Sequence, residues 1–139
     1  MSKENDDQMK RWSELAEQAQ ASFWGYLGCE LVRVDEHEAV VRLKVEQHHL
    51  NMMGIVHGGV LSSLLDNTMG IAAAAVRPHE NVVTSNLNVH FVHPLKSGTL
   101  EVRAHVVSAT KRMLTLYGTV TDEQGRLGTM GTGTFVAKG

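Results

Sequence analysis

Between Gly54 and Val76 the chain carries no Lys or Arg and a single acidic residue, Asp66. The run is about as long as a bilayer-crossing helix. His57, Ser62, Ser63, Asp66, Asn67 and Thr68 interrupt it, however, and Gly and Ala fill much of the rest. A charge near the middle of a lone membrane span costs about 2.5–3.5 kcal/mol on insertion scales. A helix that is apolar nearly all round is instead expected at the centre of a soluble core, covered on most sides. The pattern predicts a helix from about Gly58 to Val76, ended by Arg77–Pro78, because the residue before Pro disfavours helix and Pro has no N–H to donate.

The flanking sequence supplies the cover. Gln8 to Phe23 reads as a helix, with Trp12, Leu15, Ala16, Ala19 and Phe23 on one face and Gly25 and Gly28 as stops. Cys29–Val34 and Ala39–Glu46 read as strands joined by the polar turn Asp35–Glu38. In the second of these, Val41, Leu43 and Val45 alternate with Arg42, Lys44 and Glu46, the period of a half-buried strand. Gln47–Val56 is expected to be loop. Beyond the helix, Val82–Val92, Gly98–Ser108, Met113–Asp122 and Leu127–Val136 read as long strands with short connections, which implies an antiparallel meander. The expected fold class is α+β: a long antiparallel sheet curled around a central apolar helix. Residues 1–24 form an N-terminal helical segment and residues 25–139 the main domain. A sheet of this kind leaves open edges, and pairing with a second copy of the chain would cover them.

At 139 residues the chain is long enough to bury a core without disulfides. Its formal net charge of −2 points away from a nucleic-acid partner or an anionic membrane surface. Its single cysteine, Cys29, permits no intrachain disulfide and reads as a small apolar residue. Met1–Arg11 is polar and lacks the apolar stretch of a signal peptide, so a cytoplasmic location is expected.

Gly-x-Ser-x-Gly, Walker and Gly-x-Gly-x-x-Gly motifs are absent. The eight histidines do not fall into metal-ligand spacings: His48 and His49 are adjacent, and His90 and His93 point to opposite faces of a strand. No metal and no cofactor are expected. The informative stretch is Asn51-Met-Met-Gly54-Ile-Val-His57-Gly58-Gly59, followed seven residues after the second glycine by Asp66. Glycines opening a helix let another group approach the free N–H donors of the first turn, where partial positive charge can stabilise an oxyanion. The same glycines would also serve a plain loop-to-helix turn. Asp66 lies too far into the helix to be a cap. A carboxylate among apolar residues is costly unless paired, hydrogen-bonded or facing a cleft, and if unpaired and buried its pKa would be raised, as suits a general base. A structural role at a subunit contact is the alternative.

Together these residues resemble the hotdog-fold thioesterases of the phenylacetate-degradation (PaaI-like) type. The resemblance covers about residues 25–137 and continues through Thr84-Ser-Asn-Leu-Asn-Val89, Pro94, Gly98, Leu100–Glu101 and the closing Asp122–Gly125 hairpin. It implies hydrolysis of an acyl-CoA thioester. Asp66 would activate water or attack the carbonyl, and some relatives carry Glu in its place. The Gly58 N–H would polarise the thioester oxygen, with Gly59 beside it in the substrate-binding turn. Asn51 would orient water or substrate, His57 would shape the loop or touch the sulfur, and Thr84 would help hold the water. The site would straddle two subunits of a dimer, and dimers would pair into a homotetramer. The phosphates of CoA need cationic partners, for which Arg77, Lys111 and Arg112 are candidates. A thioester carbonyl is electrophilic enough for one carboxylate and one oxyanion donor to suffice. Two other readings fit the same fold: a non-catalytic acyl-CoA-binding regulator, and a dehydratase, which would present its catalytic His in a hydratase-type motif rather than a glycine loop. Trp24, Tyr26, Met52, Met53 and Met69 are candidate acyl-pocket residues, or core.

Overall fold

The computed structural model describes residues 3–138. It has three α-helices, α1 (Lys3–Gln18), α2 (Phe23–Leu27) and α3 (Gly58–Val76), and six strands: β1 (Glu30–Val34), β2 (Ala39–Lys44), β3 (Asn81–Phe91), β4 (Thr99–Ala109), β5 (Met113–Thr121) and β6 (Leu127–Lys138). All neighbouring strands are antiparallel, in the order β1-β2-β4-β5-β6-β3. The helix α3 packs on one face of this sheet, touching every strand. It buries Leu61, Leu64, Leu65, Thr68, Met69, Ala72 and Ala73. The buried Thr68 hydroxyl is satisfied by the Leu64 carbonyl at 2.7 Å. The long apolar run is thus the hub of the sheet's inner face, as its composition requires.

The strand order corrects the expected meander. Of the four strands after the helix, only β4, β5 and β6 follow one another side by side. The strand after the helix, β3, crosses to the far edge beside β6. The residues between β3 and β4 therefore form a crossing rather than a tight hairpin. Leu95 is buried there, and its carbonyl accepts the Val56 amide at 2.7 Å. A Cβ on Gly128 would overlap the Leu95 side chain, so glycine at 128 is what lets the crossing pass. Gly118, Gly131 and Gly133 do the same for the helix: a Cβ at these positions would lie 2.9 Å from Leu65 Cδ2, 3.3 Å from Leu65 Cδ1 and 2.8 Å from Met69 Sδ, respectively. The glycine-rich sixth strand is a floor for α3.

The N-terminal region also differs from expectation. The helix expected over Gln8–Phe23 is α1 from Lys3 to Gln18, followed by a 3₁₀ turn over Ala19–Ala21 and a break at Ser22. Gly25 does not stop a helix but lies inside α2, where a side chain would overlap the Gln20 carbonyl. Gly28 is the true stop, with a left-handed φ of 96°. The border expected at residues 24 and 25 falls within α2. Trp12, Leu15, Ala16 and Ala19 face Trp24, Leu31 and Ile71, so the N-terminal helix leans on β1 and α3.

Candidate active site at the start of the central helix

The loop before α3 is built by its own side chains. Asn51 Oδ1 accepts the amides of Met53 (2.9 Å) and Ile55 (3.3 Å), the Asn51 amide donates to the Ile55 carbonyl (2.8 Å), and Gly54 takes φ 77°. The segment expected to be plain loop also contains a 3₁₀ turn, Gln47–His49. His49 is buried, 1% exposed, with Nε2 2.7 Å from the Leu27 carbonyl and Nδ1 accepting the Glu46 amide at 2.9 Å. The His57 amide in turn donates to the His49 carbonyl at 2.8 Å. His49 therefore ties α2 to the loop that launches α3. Its partner in α2, Leu27, is 22 residues away, too distant in sequence for the tie to be read there.

His57 is the N-cap of α3, and its Nδ1 accepts the Gly59 amide at 2.8 Å. An accepting Nδ1 requires the neutral tautomer with the proton on Nε2, so an N–H faces outward from the exposed ring. With Gly59 occupied in this way, the Gly58 N–H has no acceptor among the described residues. It is an orphan donor at the positive end of a helix. Gly58 itself has no positive φ. A Cβ there would lie 3.2 Å from Cζ and 3.3 Å from Cε1 of Phe91.

Of the settings open to Asp66 from sequence, the structure shows the hydrogen-bonded one. Asp66 is half-buried, and its Oδ1 accepts the Thr84 hydroxyl at 2.7 Å, which leaves Oδ2 without a partner among the described residues. Thr84 stands on β3 immediately before a bulge between Thr84 and Asn86. Through that register Thr84, Leu87, Val89 and Phe91 share the face opposite Phe135, Gly133, Gly131 and Thr129, the face that carries α3. The edge strand thus meets the helix twice, at Asp66 through Thr84 and at Gly58 through Phe91. Sequence reasoning missed Phe91. The alternation Leu87-x-Val89-x-Phe91 carried the signal that it faces inward.

Eight residues of helix separate Gly58 from Asp66, about 12 Å of rise. The structure therefore does not bring the Gly58 amide and the Asp66 carboxylate together within one chain. Arg77 lies about a further 16 Å along the axis. Its guanidinium donates to the carbonyls of Thr110 (2.6 Å) and Val76 (3.3 Å), clamping the helix end to the β4–β5 hairpin that carries Lys111 and Arg112. Lys111 and Arg112 line a surface cleft with Glu80 and Lys138. Of the candidate pocket residues, Met69 is core, Trp24 is half-buried, and Tyr26, Met52 and Met53 are exposed. Cys29 is buried at 2% exposure, and burial pushes its thiol up to about 11, slightly opposed by the Asn67 amide at 3.8 Å; an inert apolar thiol fits that setting.

Residues 53–129 match the family model of the thioesterase superfamily, more than half of the chain. The chain belongs to the thioesterase superfamily. It is 31% identical to the solved structure of a mutant of the phenylacetic acid degradation protein PaaI from Thermus thermophilus, over 82% of this chain and 96% of that one, with a TM-score of 0.76. A thioesterase from Haemophilus influenzae, 19% identical, superimposes over 88% of this chain and 87% of its own with a TM-score of 0.83, which speaks for the fold. Human acyl-coenzyme A thioesterase 13 is 30% identical over 60% of each chain. The protein is a thioester hydrolase with the hotdog fold, of PaaI-like type.

Proposed function

We propose that this protein hydrolyses acyl-CoA thioesters to the free acid and CoA, in a site that a second copy of the chain completes. The observation that carries the reading is the unsatisfied Gly58 N–H at the head of an apolar helix whose single carboxylate, Asp66, is held by Thr84. The thioester oxygen would accept from the Gly58 N–H of one subunit, and Asp66 would come from the other, since about 12 Å of helix separates them within one chain. The carboxylate of Asp66, anchored through Oδ1, would present Oδ2 to a water as general base or to the carbonyl carbon as nucleophile. Either attack builds negative charge on the carbonyl oxygen, which the helix terminus stabilises. Collapse breaks the C–S bond and expels the thiolate of CoA, which takes up the proton that Asp66 accepted from water; on the nucleophilic route a water then hydrolyses the acyl-aspartyl anhydride to the free acid. The outward Nε2–H of His57 is a donor for the sulfur or the oxyanion. Asn51 has its oxygen committed to the loop, so only its Nδ2 donors would remain to orient water or substrate.

The dimer is supported by β3, an eleven-residue edge strand that has no strand on its outer side among the described residues. Such an edge is a template for another strand. Pairing of dimers into a tetramer belongs to the same proposal. Lys111 and Arg112 are the candidates for the CoA phosphates, and Arg77 would contribute by holding their hairpin.

The test is release of free thiol from a panel of acyl-CoAs by wild type and Asp66→Asn. Wild type should turn over at least one class of acyl-CoA, and Asp66→Asn should lose about 10²–10⁴-fold in kcat while keeping its melting temperature. An Asp66→Asn protein with wild-type kcat removes Asp66 from the chemistry. A wild type that binds acyl-CoA without turnover makes the protein a sensor.

A further inference from the structure

We propose that Phe91 is a specificity-determining residue, whose ring walls the donor at Gly58 and selects against acyl groups branched at the carbon next to the thioester carbonyl. This rests on the reading of Gly58 as the oxyanion donor.

The geometry is local. A carbonyl oxygen bound to the Gly58 amide lies about 2.9 Å from the nitrogen. The carbonyl carbon and the acyl α-carbon follow within the next ~3 Å of covalent chain. The edge of the Phe91 ring stands over the same residue, with Cζ and Cε1 3.2 and 3.3 Å from the point where a Gly58 Cβ would stand. Carbons in contact settle at about 3.5–4.0 Å, so an acyl α-carbon that follows the bound oxygen on the ring's side would bring an added methyl against Phe91. The next amide, of Gly59, is already taken by the His57 imidazole.

Within one chain the ring is 57% exposed, although it is the last inward-facing residue of β3, so it lies at the mouth of the site that the proposed dimer would complete. Its backbone is anchored just beyond, where the amides of Val92 and His93 both donate to the Gly128 carbonyl at 2.8 and 3.0 Å. An aromatic side chain on a fixed backbone, set beside a glycine, is a wall that yields by a few tenths of an ångström but not by the width of a methyl group.

The experiment compares two matched pairs of thioesters, butanoyl-CoA with 2-methylbutanoyl-CoA and octanoyl-CoA with 2-methyloctanoyl-CoA, by thiol release. Wild type should favour the straight chain of each pair by about tenfold or more in kcat/KM, the scale of discrimination for one methyl group. Phe91→Ala should raise the branched-to-straight ratio by about tenfold, and Phe91→Leu should raise it by less. A branch moved to the third carbon should be insensitive to both substitutions. A purely structural Phe91 would lower all four rates together and leave the ratio alone. An unchanged ratio in both variants, or loss of native melting in both, overturns the proposal. Absence of thiol release by wild type from every acyl-CoA overturns the acyl-CoA reading itself, a different result from an active enzyme with an unmoved ratio.

Discussion

Gly58 is where a single methyl group separates chemistry from architecture. It opens α3 without a positive φ, so Ala is permitted by the backbone and is favoured over Gly in a helix by up to about 1 kcal/mol. Against that gain, the new Cβ would press on the Phe91 ring, an exposed group that can swing by the few tenths of an ångström required. Gly58→Ala keeps the N–H but sets a Cβ beside it that crowds the incoming thioester oxygen, so the variant should melt close to wild type yet lose kcat, up to the ~10²–10³-fold that a fully lost oxyanion donor costs. Paired falls in melting temperature and kcat would mean that the glycine serves only the turn. Cys29 gives a second test, in pH. Its folded thiol sits at about 11 against an ordinary 9.0, so its contribution to stability is full below pH 9.0. It is lost as pH rises toward 11, because the unfolded thiol ionises first. Denaturant melts across that window should lose stability in wild type and lose less in Cys29→Ala. At this scale the sequence revealed residue types but not partners. Asp66 was recognisable as an anomaly, whereas its anchor Thr84 and the buried His49 depend on contacts 18 and 22 residues away in the chain.

At the scale of elements, α3 and β3 act as one unit. The apolar run and its Pro stop were readable because helix period and proline chemistry are local, and the structure returns Gly58–Val76. The strands were readable from alternation, but their order was not: nothing local states that β3 crosses to the outer edge beside β6. In retrospect the polar residues Thr84, Ser85, Asn86, Asn88 and His90 suit an edge strand, since they tolerate exposure. The crossing gives the helix its hydroxyl partner. Thr84→Val keeps the shape and removes the 2.7 Å bond to Asp66. Hydrogen bonds to a charged group are worth about 1.5–3 kcal/mol, so kcat should fall about ten- to a hundredfold. Thr84→Ser should recover most of that loss. A wild-type kcat in Thr84→Val beside a deficit in Thr84→Ser would mean that the methyl of Thr84, not its hydroxyl, positions the carboxylate.

At the scale of the whole molecule, the decisive quantity is the ~12 Å of helix between the Gly58 amide and Asp66. A thioester carbonyl and the group that attacks it are in contact, so one chain cannot offer both ends to one substrate without bending α3. In the proposed dimer along the β3 edge, each chain would supply one end. Subunit mixing tests this directly, because each partner can be disabled at a different end of the helix. Asp66→Ala alone and Asn51→Ala alone should each be nearly inactive. In a heterodimer of the two, one site combines both lesions and the other combines an intact Asp66 with an intact Asn51–Gly59 loop. Random exchange at equal concentrations should therefore restore about a quarter of wild-type specific activity, since half of the dimers are mixed and each has one whole site. Exchange itself is followed independently by mass-tagged subunits. Verified exchange without recovery would place Asn51 and Asp66 on the same subunit of each site, and an active monomer by light scattering would dispense with the partner altogether.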